Sequence, residues 1–225
     1  MDCEINNFTY KEAVEKDKKQ MFEYYISLIK TRHNLIFSFY NNKDYNSQII
    51  KIDLFFIGFT INYTVNALFY NDDTMHNIYI NKGSFNLEYQ IPIIIYSSLI
   101  SMVLNALLKL LVLSNNDIIK FKQNKEKNDI NKRGTDLEKK LQIKSIFYFI
   151  ISFIFLLFFW YYISMFGVIY KNTQYHLLKD TLISFGLSMI YPFGIYLLPG
   201  IFRIPALSNN KRKCLYDFSK FLQVF

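Results

Sequence analysis

The sequence has only two cysteines, Cys3 and Cys214, near opposite ends of its 225 residues. They form no CxxC pair and give no basis for a disulfide framework. The three histidines, His33, His76 and His176, fall in separate segments. No HxxxH, HExxH or GxSxG motif, no P-loop and no dinucleotide-binding fingerprint occurs. These absences predict a non-enzymatic chain with no cofactor and no catalytic, cofactor-binding or metal-binding residues. His76 with Asp72 and Asp73 offers at most a weak cation site, and a solvated acidic loop is the simpler reading. The opening MDCEINNFTYKEAVEKDKK is polar and mixed in charge. It lacks an apolar h-region, which predicts no cleavable signal and insertion through internal segments. No internal repeat is evident.

What is present is apolar, aromatic and basic: 52% hydrophobic residues, 19% aromatic residues and a net charge of +8. That combination suits a membrane protein with basic loops better than a soluble domain. Phe, Tyr, Ile, Asn and Lys are all over-used, as AT-rich coding would produce, so single Asn, Lys or Tyr residues carry less meaning than usual. The decisive stretch is Ile146 to Tyr170, which contains no charge. At about 1.5 Å per residue it is long enough to cross a hydrocarbon core of about 30 Å. Its Trp160, Tyr161, Tyr162 and Tyr170 suit the wet edges of a bilayer.

The expected architecture is all-α: an integral membrane four-helix bundle with an N-terminal cytoplasmic or interfacial helix and a short C-terminal amphipathic helix. Residues 1–50 form the helical N-terminal segment. Its apolar part is interrupted by Glu23, Lys30, Arg32 and His33, which oppose spanning. NNKDYNS then reads as a turn. Residues 51–202 form the membrane domain, with spans at about 51–70, 91–113, 146–170 and 181–202. Lys51 and Asp53 mark the entrance of the first. Pro92 is placed in the first turn of the second, and Lys109 near its end is suited to snorkelling. Pro192, Pro199 and Gly200 are expected to break the fourth. Residues 203–225 form the tail, with Leu215, Phe218, Phe221 and Leu222 on one helical face.

Loop charge sets the orientation. Residues 114–145 carry Lys120, Lys122, Lys125, Lys127, Lys132, Arg133, Lys139, Lys140 and Lys144. The segment is expected to be partly helical at its ends and mobile near Gly134. Lys211, Arg212 and Lys213 follow in the tail. The loop between the first two spans holds Lys82 against Asp72, Asp73 and Glu88, and the last loop is short, with Lys171 and Lys179. The positive-inside rule then places both termini and the middle loop in the cytoplasm. The expected partners are the lipid bilayer, anionic lipid headgroups at the basic loop, and other membrane protein chains. Topology accounts for the basic charge, so nucleic acid is not expected. Cys214 beside the basic run is a candidate for palmitoylation. The sequons at Asn7 and Asn62 are discounted, because they fall in the cytoplasm and within a span.

Small and polar residues recur on helical faces of the spans. Asn62 and Asn66 are i, i+4; Ser98, Ser101 and Asn105 are i, i+3, i+7; Thr181, Ser184, Ser188 and Tyr191 share a third face. Ser184 and Ser188 form a small-xxx-small pair that lets helices approach closely. The expected role of these faces is interhelical packing, and a ligand path is the alternative. No span carries a regular Arg/Lys series or a mid-membrane Asp, Glu or His, so neither a voltage sensor nor an intramembrane protease is expected.

The segments FEYYISLIKTRHNLIFSF, KDYNSQIIKIDLFFIGF, NDDTMHNIY, FWYYISMFGVIYKNTQYHLLKDTLISFGLSMIYPF and LPGIFRIPAL resemble a family of uncharacterised multi-pass membrane proteins of single-celled eukaryotes. The resemblance covers most of the chain from about Tyr10 onward. It implies a membrane-anchoring segment of the kind that ends much longer proteins, and it transfers no site residues. A weaker likeness joins Asn66-Ala67-Leu68-Phe69-Tyr70, the basic linker and the aromatic span to the polycystin-family region that precedes the channel spans. It implies a channel subunit, although the channel spans and the lipid-binding-type domain of that family are lacking. The leading expectation is an anchoring, scaffolding or assembly module of a larger membrane complex. The alternative is a polycystin-like channel or transporter subunit.

Overall fold

The computed structural model describes residues 2–40, 44–81, 87–123, 130–171, 174–208 and 212–223. Lys82, Lys125, Lys127 and Lys211 lie outside these, as do residues 41–43 of the NNKDYNS turn. The Glu88 side chain is likewise not described. Among the described residues every regular element is a helix. In order they are α1 (Asp2–Asn6), α2 (Tyr10–Lys16), α3 (Met21–Arg32), α4 (Asn34–Phe39), α5 (Gln48–Leu68) and α6 (Asp72–Ile80). They continue with α7 (Leu87–Val112), α8 (Asn115–Gln123), α9 (Ile130–Ile169), α10 (Gln174–Ile195), α11 (Leu197–Ser208) and α12 (Lys213–Leu222).

Local chemistry sets several of these boundaries. Thr9 caps α2 through a reciprocal pair with Glu12, and Glu23 closes back on the Gln20 amide at the start of α3. Asn71 accepts from the Thr74 amide at the head of α6. His33 takes an extended backbone between α3 and α4, so the N-terminal segment is a chain of short helices rather than one rod.

Three helices are long and apolar enough to cross a membrane: Ile91–Lys122, Ile130–Ile169 and Gln174–Ser208. The helix of the expected first span, α5, reaches that standard only together with α6, from which it is bent by 85°. Lys51 and Asp53 near its start lower its apolarity. α5 packs against α7, α9, α10 and α4. Its Leu54, Ile57, Ile61 and Val65 meet Leu108 and Val112 of α7 and Tyr148 of α9 in the main core. The opposite faces of the long helices are apolar and bare, as at Phe153, Leu157, Trp160 and Val168 of α9.

Four expectations need correction. The segment 114–145 is mostly helix: α8 occupies its start, and α9 begins at Ile130 and runs straight through Gly134. Lys132, Lys139, Lys140 and Lys144 favour helix, and Lys140 and Lys144 pair with Asp117 of α8 at 2.8 and 2.7 Å. Pro92 is not in a first turn, because α7 starts at Leu87 and continues past it. Pro192 does not end a helix: its carbonyl accepts from Tyr196 N at 2.9 Å, and the interruption falls at Tyr196 itself. Pro199 and Gly200 open α11 rather than close a span. Pro199 is the third residue of α11, where a missing N–H costs nothing. The tail is the amphipathic helix expected; it buries Tyr216 and Ser219, while Phe218 and Phe221 are exposed.

The N-terminal helices and the tail form a cap. α11 packs against α12, α3 and α2, and α1 packs on α3. Arg203 of α11 sits fully buried at its centre, between the rings of Tyr24 and Tyr216 at 4.8 Å each.

Candidate functional site

Between the cap and the long helices lies a cavity of about 290 Å³. α7 supplies one stripe of its wall: Ser98, Ser101, Asn105 and Lys109. Their spacing of three, four and four residues keeps them on one helical face. α5 contributes Gly58 and Asn62, α10 contributes Ser188 and Pro192, and α3 contributes Arg32. Gly58 matters because a Cβ there would stand 3.2 Å from Asn105 Oδ1. The bare glycine lets the Asn105 amide lie against α5.

A layer of interhelical hydrogen bonds lies beyond Asn62. One turn beyond Asn62 on α5, Asn66 Nδ2 donates to Thr181 Oγ1 of α10 at 2.9 Å. Beside it, Ser97 and Ser184 hydroxyls meet at 3.2 Å. Farther along, Tyr70 donates to Asp180 at 2.5 Å, above a cluster of Tyr63, Phe166 and Leu177. In an apolar medium such hydrogen bonds orient helices, at about 0.6 kcal/mol each.

The seven polar residues singled out in the sequence therefore divide into two sets. Asn66 and Ser184 bond across helix interfaces. Asn62, Ser98, Ser101, Asn105 and Ser188 line the cavity. Ser98 and Ser188 turn their hydroxyls back to the carbonyls of Ile95 and Phe185. The amide of Asn62 and the hydroxyl of Ser101 are buried and find no hydrogen-bond partner among the described residues. Of the expected breaks, Pro192 joins the cavity wall. Pro199 and Gly200 belong to the cap, where the Pro199 carbonyl accepts from Ser219.

Two wall residues were not read as a pair from the sequence. Lys109 was expected to reach water, and Arg32 served only as a charge that opposed spanning. Both are half-buried and face the same cavity. Lys109 had a signal, being four residues from Asn105 on the same stripe. Arg32 had none, because it arrives from another segment. His33, next to it, is buried, and its Nε2 lies 2.7 Å from the Met189 carbonyl. Burial pushes the His33 imidazole below its ordinary value, against the opposing hydrogen bond to the Met189 carbonyl, and the Lys109 charge adds to the lowering.

Elsewhere the interior charges are matched. Arg203 pairs with Asp17, Lys51 with Asp44 at 3.1 Å, and Tyr148 donates to Asp53 at 2.6 Å. Among the described residues no group of three or more His, Cys, Asp or Glu could hold a metal ion. Asn62 of one sequon is buried, and Cys214 is exposed. No protein-family model, curated protein or solved structure matches the chain.

Proposed function

We propose that the chain is a non-enzymatic membrane protein of four spans that anchors or assembles a larger membrane complex. Its spans are α5, α7, α9 and the pair α10–α11, with both chain ends and the basic segments on the cytoplasmic side. The observation that carries this reading is the use made of the interior carboxylates. Asp17, Asp44, Asp53 and Asp117 each accept from a side chain of another segment, fastening cap to tail, turn to α5, α5 to α9 and α8 to α9. The acidic groups are thereby committed to holding a rigid body together. α9 adds reach: 40 residues extend about 60 Å, roughly twice the hydrocarbon thickness. Its charged end, from Ile130 to Lys144, then projects into the cytoplasm as a stalk that other chains can grip.

The test is the native mass of the tagged protein, gently extracted from its own membrane, with its co-purifying chains identified. A stoichiometric larger partner is expected. A homo-oligomer without a partner would overturn the assembly reading.

The polar cavity favours a second reading, a channel or transporter subunit of the polycystin-like kind. Conduction requires a path past the layer of Asn66, Thr181, Ser97 and Ser184, so this reading entails a second, opened arrangement of α5, α7 and α10. Ion flux in liposomes that is absent from protein-free liposomes would support it.

A further inference from the structure

We propose that the cavity is a binding site for a phosphomonoester dianion, with Arg32 and Lys109 as the charges that hold it. The site goes beyond the assembly reading and does not depend on it.

The first observation is a mismatch of charge. The other buried cations have carboxylate partners: Asp17 for Arg203 and Asp44 for Lys51. Among the described residues Arg32 and Lys109 make neither an ion pair nor a hydrogen bond, and both line the one cavity. Lys220 joins them in the wall, and no Asp or Glu lines the cavity. Two adjacent cations with no internal counter-charge call for an anion.

The second observation is unspent hydrogen bonding. The Asn62 amide group, the Ser101 hydroxyl and Asn34 Oδ1 are buried without partners among the described residues, and all three residues line the cavity. Buried polar groups are rarely left so, and here they surround open volume. The 290 Å³ available is many times the about 10–15 Å³ that one water needs on the same measure.

The third is chemistry. A guanidinium presents a planar fork to phosphate oxygens, an ammonium adds a point charge, and amide and hydroxyl donors complete the shell. A carboxylate would be satisfied by Arg32 alone. A phosphomonoester, which carries close to two negative charges near neutral pH, matches both cations. Such a group arrives either as free phosphate or on a lipid headgroup. Leu110 lines the cavity and is itself exposed, so an acyl chain has an apolar path along α7 while its headgroup reaches Lys109.

The experiment is thermal unfolding of the full chain in phosphatidylcholine vesicles, at constant ionic strength. Inorganic phosphate is compared with chloride, and vesicles with about one-tenth phosphatidic acid are compared with phosphatidylcholine alone. Stabilisation by inorganic phosphate identifies the free ion. Stabilisation only by phosphatidic acid identifies the lipid. In either case Lys109→Gln should weaken the response by about tenfold in ligand concentration, while the exposed Lys139→Gln should leave it unchanged. Lys109→Glu supplies Arg32 with an internal partner, so that variant should fold and lose the response. The proposal falls if wild type responds to neither ligand, if Lys139→Gln reduces the response as much as Lys109→Gln, or if Lys109→Glu responds like wild type.

Discussion

Arg203 and Asp17, 186 residues apart, form a buried ion pair in which both Nε and Nη2 donate to Asp17 Oδ2, at 2.9 and 2.8 Å. Nη2 also donates to the Ile5 carbonyl at 3.1 Å. This contact joins the N-terminal segment to α11 and the tail. Removing one partner leaves an uncompensated buried charge, at a cost of about 3–5 kcal/mol. Asp17→Asn and Arg203→Met should each lower the thermal unfolding midpoint of the detergent-purified protein. The double variant Asp17→Leu with Arg203→Met should lose less than the sum of the two. Single variants that unfold with the parent would remove the pair from the account.

Acid should loosen α1 first. Glu4 accepts from Tyr45 in a very short hydrogen bond and pairs with Lys122 at 3.4 Å. The Tyr45 bond is the main reason its carboxyl is held down at about 2, from an ordinary 4.5. A carboxyl lowered by folding stabilises fully above the ordinary value and loses that contribution as pH falls from 4.5 toward 2. Asp2 changes in the same direction: burial pushes it up, but Lys19 at 2.7 Å outweighs that and holds it below its ordinary value. Hydrogen exchange in α1 should rise across that window before exchange in α5 does. Glu4→Gln should show the faster exchange already at neutral pH.

His33 titrates in a different window. Its lowered value means that the folded protein prefers the neutral ring, so stability is complete above 6.5 and declines as pH falls below it. The unfolding midpoint should therefore drop as pH falls below about 6.5. His33→Gln, which keeps a donor for the Met189 carbonyl, should flatten that step. A step of unchanged size in the variant would assign it to another group.

Ser184 and Ser188 look alike in sequence and should respond differently. Ser184 is fully buried against Ser97, whereas Ser188 borders the cavity. Ser184→Leu overpacks the layer of interhelical hydrogen bonds, at a cost of about 1–3 kcal/mol. Ser188→Leu has volume to enter and should cost less. The two midpoints measured side by side check this, and equal losses would contradict the division of the polar faces.

Much of this was legible in the sequence because it depends on periodicity and composition. The helical class, the charge-free run from Ile146 and the polar stripe on α7 all follow from local pattern. The start of α9 at Ile130 was also within reach, since lysines favour helix, but Gly134 suggested a loop. Tyr196 carries no breaking signal, and the prolines nearby drew attention away from it. Arg203 with Asp17, and Arg32 with Lys109, are contacts between segments far apart in the chain. Nothing local marks them, and only the folded arrangement reveals which cation has a carboxylate and which has none.

The central proposal is a membrane domain with its chain ends on one side of the bilayer, and it entails that the polar cavity, lined by residues of the cap and tail, is reached from that side. The direct measurement is labelling of single cysteines by a membrane-impermeant thiol reagent in sealed vesicles, from each side in turn. In a background lacking Cys3, exposed Cys214 reports the tail side, and Tyr79→Cys on α6, in a background lacking both Cys3 and Cys214, reports the other. Ser101→Cys in the same background reports the cavity. The account predicts that Ser101→Cys reacts from the side that labels Cys214 and is protected from the side that labels Tyr79→Cys. Labelling of Ser101→Cys from the Tyr79 side, or labelling of Cys214 and Tyr79→Cys from one and the same side, would contradict it.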